Sequence, residues 1–181
     1  MANPQLKVPE KVSFEQAIEL TQSLISQIEA ADLSEEEITV YLTDLVKSDF
    51  GSRGFFVSYL TSDSSLPDTP SPAVIQALRT NSEIVADLLV KNLAMSAASA
   101  VAHRRNDDQE MVASSERVTR RTANLIELLQ VPAIYQHSQN LLETITKKEG
   151  IYKSFLERWG YDAEQQQAIY QAFKLVIPAA Q

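Results

Sequence analysis

The side chains best placed to do chemistry in this sequence are Asn92, Ser99, His103 and His137. Asn92, Ser99 and His103 follow one another at helical spacing and project from one face of a helix at 100° per residue. The surrounding text, Asn92 to Ala102, has no charge, no glycine and no proline. A helix segment without a charged side is normally enclosed by other helices. Amides and an imidazole along an enclosed face need partners, because each buried polar group left unpaired costs about 1–3 kcal/mol. Asn81 extends the same line. The partners are neighbouring helices, water, a second subunit or a ligand. In the last case Asn92, Ser99, His103 and His137 are the polar contacts of a small-molecule pocket, with Phe55, Phe56 and Tyr59 as apolar walls.

The two histidines do not make a metal site by sequence. A di-iron bundle needs Glu-x-x-His on two helices, and the residues three before His103 and His137 are Ala100 and Ile134. A zinc-binding pair of histidines four apart is absent. The sequence has no cysteine, which excludes disulfides, thiolate catalysis and Cys-ligated metals. The four glycines stand at 51, 54, 150 and 160, too scattered for a phosphate loop, a dinucleotide fingerprint or a nucleophile elbow. No catalytic residue, metal or cofactor is therefore expected, and an enzyme is the less favoured class. Arg117 and Arg121 lie four residues apart with Arg120 between them. They read either as a solvated face, partly compensated by Glu110 and Glu116, or as an anion clamp using the guanidinium fork.

The net charge of −8 is concentrated at one end. Residues 1–50 hold three lysines against ten carboxylates, and the remainder is nearly balanced. Such a chain repels nucleic acid and anionic lipid, so neither is an expected partner. The opening Met-Ala-Asn-Pro-Gln-Leu-Lys has no apolar signal core, and Asp87 and Lys91 interrupt the best membrane-spanning candidate. A cytoplasmic location is expected.

The elements that position these residues read as an all-α bundle of six or seven helices with no convincing strand. Residues 1–12 form an extended arm, and residues 13–178 one helical domain. Ser13 with Gln16 and Ser34 with Glu37 are capping boxes that open two helices. These form an acidic hairpin over 13–50, expected to pack antiparallel and to stop near Gly51. Phe55 to Leu60 reads as a short buried helix. Thr61 to Ser71, rich in Ser and Pro, is a loop: either a mobile connector or a lid. Ser71-Pro72 starts a helix that continues unbroken to about Arg105, the long centre of a helical core over 72–178. Asp107-Asp108 caps the next helix, Pro132 begins another, Gly150 and Gly160 bracket a short one, and Asp162 with Gln165 opens the last, which ends at Pro178. The functional expectation is a non-enzymatic assembly, adaptor or regulatory factor that binds another protein and forms a homodimer. A small-molecule binder with its pocket beside residues 92–103 is the alternative.

Overall fold

A computed structural model describes residues 7–177. The described residues are all-helical, with nine α-helices and no strand. These residues divide into two compact units, one ending at Leu88 and the other beginning at Leu89.

The first unit contains α1 (Phe14–Glu29), α2 (Glu35–Val46), α3 (Asp49–Thr61), a 3-10 turn (Leu66–Asp68), α4 (Pro72–Arg79) and the beginning of α5 (Ser82–Arg105). The capping boxes at Ser13/Gln16 and Ser34/Glu37 form as the sequence predicts. Of the expected extended arm, residues 7–12 are described and lack helix, with Val8 and Val12 buried. The rest of the arm, and Pro178 at the other end, lie outside the described residues.

α1 and α2 do not form a self-contained hairpin. The main neighbour of α1 is α3, and that of α2 is α4. The reason lies in two glycines. Gly54 sits against α1, where a β-carbon would come within 2.4 Å of Ala17 Cβ and 2.8 Å of the Phe14 carbonyl oxygen. Gly51 does not end α2 but lies inside α3, so close to the Leu45 carbonyl that a β-carbon would reach 1.9 Å. The corner between α2 and α3 is held by the Ser52 hydroxyl, which donates to the Val46 carbonyl at 2.7 Å, and by Ser48, whose side chain caps α3. α1 and α3 run parallel: Ala17 meets Gly54 in their N-terminal halves, and Glu29, the last residue of α1, meets Ser64 just beyond the end of α3. Glu35 accepts a hydrogen bond from the Ala73 amide at 3.0 Å, so a carboxylate from α2 satisfies one free N–H at the start of α4.

The expected unbroken helix over 72–105 is interrupted at Thr80 and Asn81. The Thr80 hydroxyl donates to the Ala77 carbonyl at 2.6 Å. The Asn81 amide donates to the Val46 carbonyl at 3.0 Å, while its own carbonyl accepts from Val85 to open α5. The break splits one expected helix into two, and the described residues hold nine helices rather than the six or seven expected.

The second unit contains the rest of α5, then α6 (Gln109–Leu129), α7 (Pro132–Lys147), α8 (Lys153–Trp159) and α9 (Ala163–Val176). Asp108 caps α6 and the Asp162/Gln165 box opens α9, as expected. Within the small-residue run, Ala94, Ser96, Ala98, Ala100 and Val101 are buried. Thr119 of α6 donates to the Ser96 hydroxyl at 2.8 Å, and Gln165 of α9 donates to the Ala98 carbonyl at 3.3 Å. Small side chains thus bring polar groups of two neighbours onto the helix. By length and composition α5 could cross a membrane, but 56% of its most apolar window is buried within the protein, as in a core helix. α6 and α7 end on Gln130 and Lys148, both in the left-handed conformation at φ 50° and 61°.

Candidate functional site

The residues singled out from sequence occupy four different settings. Phe55 and Phe56 are fully buried and Tyr59 nearly so. Phe55 stacks on Tyr59 at 4.9 Å and meets Phe56 edge-on at 5.3 Å. The Tyr59 hydroxyl donates to the Leu66 carbonyl at 3.3 Å, pinning the 61–71 connection, where Pro67 is also buried. These three rings fill the core of the first unit.

Asn92, Ser99 and His103 share one face of α5 and are partly exposed. Their side chains make no hydrogen bond among the described residues, and retained water contact removes the need for buried partners. Asn81 belongs elsewhere, at the helix break. His137, on α7, has its Nδ1 2.6 Å from the Tyr152 hydroxyl. The neighbouring hydroxyl of Ser138 is buried without a partner among the described residues.

The arginine cluster differs from the solvated face in the expectation. Arg121 is only 2% exposed, and Arg117, Arg120 and Arg121 are each engaged by other groups of the chain. Glu116, expected to pair with Arg120, lies 2.6 Å from Arg104 of α5. Arg105 forks onto Asp162 at 2.6 Å and onto Glu164. That fork pulls the Asp162 carboxyl down to about 2, with the Gln165 amide assisting, and raises the Arg105 guanidinium further above its ordinary value. No group of three or more His, Cys, Asp or Glu suited to a metal exists among the described residues.

Three features absent from the sequence reading stand out. One is an open groove of about 540 Å³ along the C-terminal halves of α1 and α3. Ile18, Ile25 and Val57 supply its apolar walls, and Ser58, Glu29 and the Ser62–Ser64 segment its polar ones. A smaller groove of about 280 Å³ lies beside Lys148, Lys153, Tyr161 and Gln166. Burial there pushes the Tyr161 hydroxyl up to about 12. None of the sequence-selected residues lines either groove.

The third feature is the segment around α8. No residue of α8 is buried. A chain of rings runs through the segment, from His137 to Tyr152, Phe155, Tyr161 and Trp159, with neighbouring centroids 6.1–6.5 Å apart. Tyr152 is its buried anchor. At its outer end Trp159 stays 50% exposed, and Ile151 is 69% exposed. The alternation of aromatic and basic residues between the two glycines was the available signal in the sequence. It reads equally well as an ordinary buried helix, and only the observed exposure separates the two.

No curated protein and no solved structure matches the chain. A family model does, over residues 13–176, from the first capping serine to the end of α9. The chain belongs to the family described as uncharacterised conserved protein UCP020893.

Proposed function

We propose that the protein is a non-enzymatic assembly or regulatory factor that docks on another protein through the segment around α8. The observation that carries this reading is Trp159: half-exposed, stacked on Tyr161, and mounted on a helix that buries none of its own residues. Tryptophan is enriched among residues that dominate binding energy, because it offers a large rigid area at small entropic loss. The anchor at Tyr152 limits that loss further by fixing the segment before any partner arrives. Lys147, Lys148, Lys153 and Arg158 outnumber Glu149 and Glu157 here, so the favoured partner presents an acidic surface. Residues 1–50 of a second copy are one such surface, and a homodimer is the form of the proposal that needs no other component.

A photo-reactive amino acid at position 151 tests it in cells. The expected result is cross-linking to one discrete partner or to a second copy, abolished by Trp159→Ala in a chain whose melting is unchanged. Equal cross-linking from position 40, where Val40 is comparably exposed, refutes the proposal.

A further inference from the structure

We infer that the groove between α1 and α3 is a binding site for a small organic cation, an ammonium group on a short aliphatic chain. Its electrostatics follow from the topology. α1 and α3 are parallel, so both helices direct their C-terminal ends, each equivalent to roughly half a negative charge, toward the same end of the groove. Neither has a basic residue in its last turn. Glu29 and Asp63 add two carboxylates, and no Lys or Arg lines the groove. Glu29 accepts a hydrogen bond from the Ser64 hydroxyl at 2.6 Å, which fixes one of its oxygens beside the opening.

A second observation points to a ligand independently of charge. Ser58 is 8% exposed, lines the groove, and its hydroxyl has no hydrogen-bond partner among the described residues. A helical hydroxyl either bonds back to a carbonyl of the preceding turn or faces outward; Thr61 in the same helix bonds back, to Val57 at 2.7 Å. Ser58 instead holds a free donor and acceptor at the groove wall. Ile18, Ile25 and Val57 provide the apolar contact for an aliphatic stem. The volume, about 540 Å³, is in the range of small-ligand sites. Two carboxylates are too few for an all-protein divalent site, so the fitting cation is organic.

Butylammonium and 1,4-diaminobutane, titrated at low salt and followed by amide chemical shifts, test the assignment, with 1-butanol and butyrate as uncharged and anionic controls. Saturable shifts confined to residues 18–29 and 57–64 are expected for the two amines only. Glu29→Gln should weaken binding by about tenfold, the loss of one close charge contact, and Ser58→Ala should weaken it without changing the melting temperature. Glu36→Gln, on the exposed first turn of α2, should leave it unchanged. The inference fails if 1-butanol shifts the same amides equally, if Glu36→Gln weakens binding as much as Glu29→Gln, or if no saturable shift occurs.

Discussion

Gly54→Ala separates two opposite accounts of the α1–α3 seam. If Gly54 were only a poor helix former, alanine would stabilise the protein by about 0.4–1 kcal/mol through helix propensity and a stiffer unfolded chain. The packing predicts the reverse. The new methyl would stand 2.4 Å from Ala17 Cβ and 2.8 Å from the Phe14 carbonyl oxygen, whereas carbon atoms rest at about 3.5–4.0 Å. The two helices must therefore part by roughly 1 Å along their shared length. Overpacking of this kind costs about 1–3 kcal/mol, and the propensity gain offsets only part of it. The expected net loss is about 1–2 kcal/mol, a melting shift of several degrees for a chain of this size. Urea denaturation followed by circular dichroism measures it. Ala17→Gly in the same chain should restore part of the loss, since it removes the 2.4 Å contact but leaves the carbonyl at 2.8 Å. A stabilised Gly54→Ala protein, or a double mutant no better than the sum of the singles, would refute close helix approach as the role of Gly54.

Three further outcomes follow from the same contacts. Arg121→Ala should destabilise by about 3–5 kcal/mol, because it removes a buried guanidinium that another group of the chain engages; Arg120→Ala, at an exposed position of α6, should cost markedly less by urea denaturation. The Asp162 carboxyl, lowered in the folded state by Arg105, adds stability that is complete above the ordinary carboxylate range and lost as pH falls through about 2. A carbon-13 titration should place its midpoint near 2, moving up toward the ordinary value in Arg105→Ala; an unmoved midpoint would show that the fork is not formed in solution. Burial pushes the Tyr41 hydroxyl up to about 12. The unfolded chain then ionises first, stability declines as pH rises above the ordinary tyrosine value of about 10, and Tyr41→Phe should flatten that decline in alkaline melting curves.

Local signals carried the helix starts. Ser13/Gln16, Ser34/Glu37 and Asp162/Gln165 satisfy amides three residues away, so each box is fully specified within one turn. The break at Thr80-Asn81 has no glycine or proline to announce it, and its cause is a carbonyl 35 residues away at Val46. Glycine often ends a helix, yet Gly51 lies inside α3 and makes room for the Leu45 carbonyl. The burial of Arg121 is set by the helices packed around α6, which its own stretch of sequence does not show. The face formed by Asn92, Ser99 and His103 was correct as geometry, but its degree of enclosure depends on neighbours. The groove of the first unit escaped notice for a related reason. It arises from two helices running the same way, and helix direction in space is not encoded in any single stretch of residues.

The left-handed ends of α6 and α7 have a practical corollary. Gln130 and Lys148 hold a backbone geometry that glycine adopts freely and that other L-residues adopt at roughly 1–2 kcal/mol. With two of its four glycines placed inside α3, the chain leaves these ends to long polar side chains, and so carries latent, correctable strain at two separate points. Glycine at 130 would harden the scaffold without touching either groove or the tryptophan face, giving a sturdier background on which damaging substitutions elsewhere could still be studied in a folded state; Lys148 lines the groove beside Tyr161 and donates to Gln166, so it is left in place.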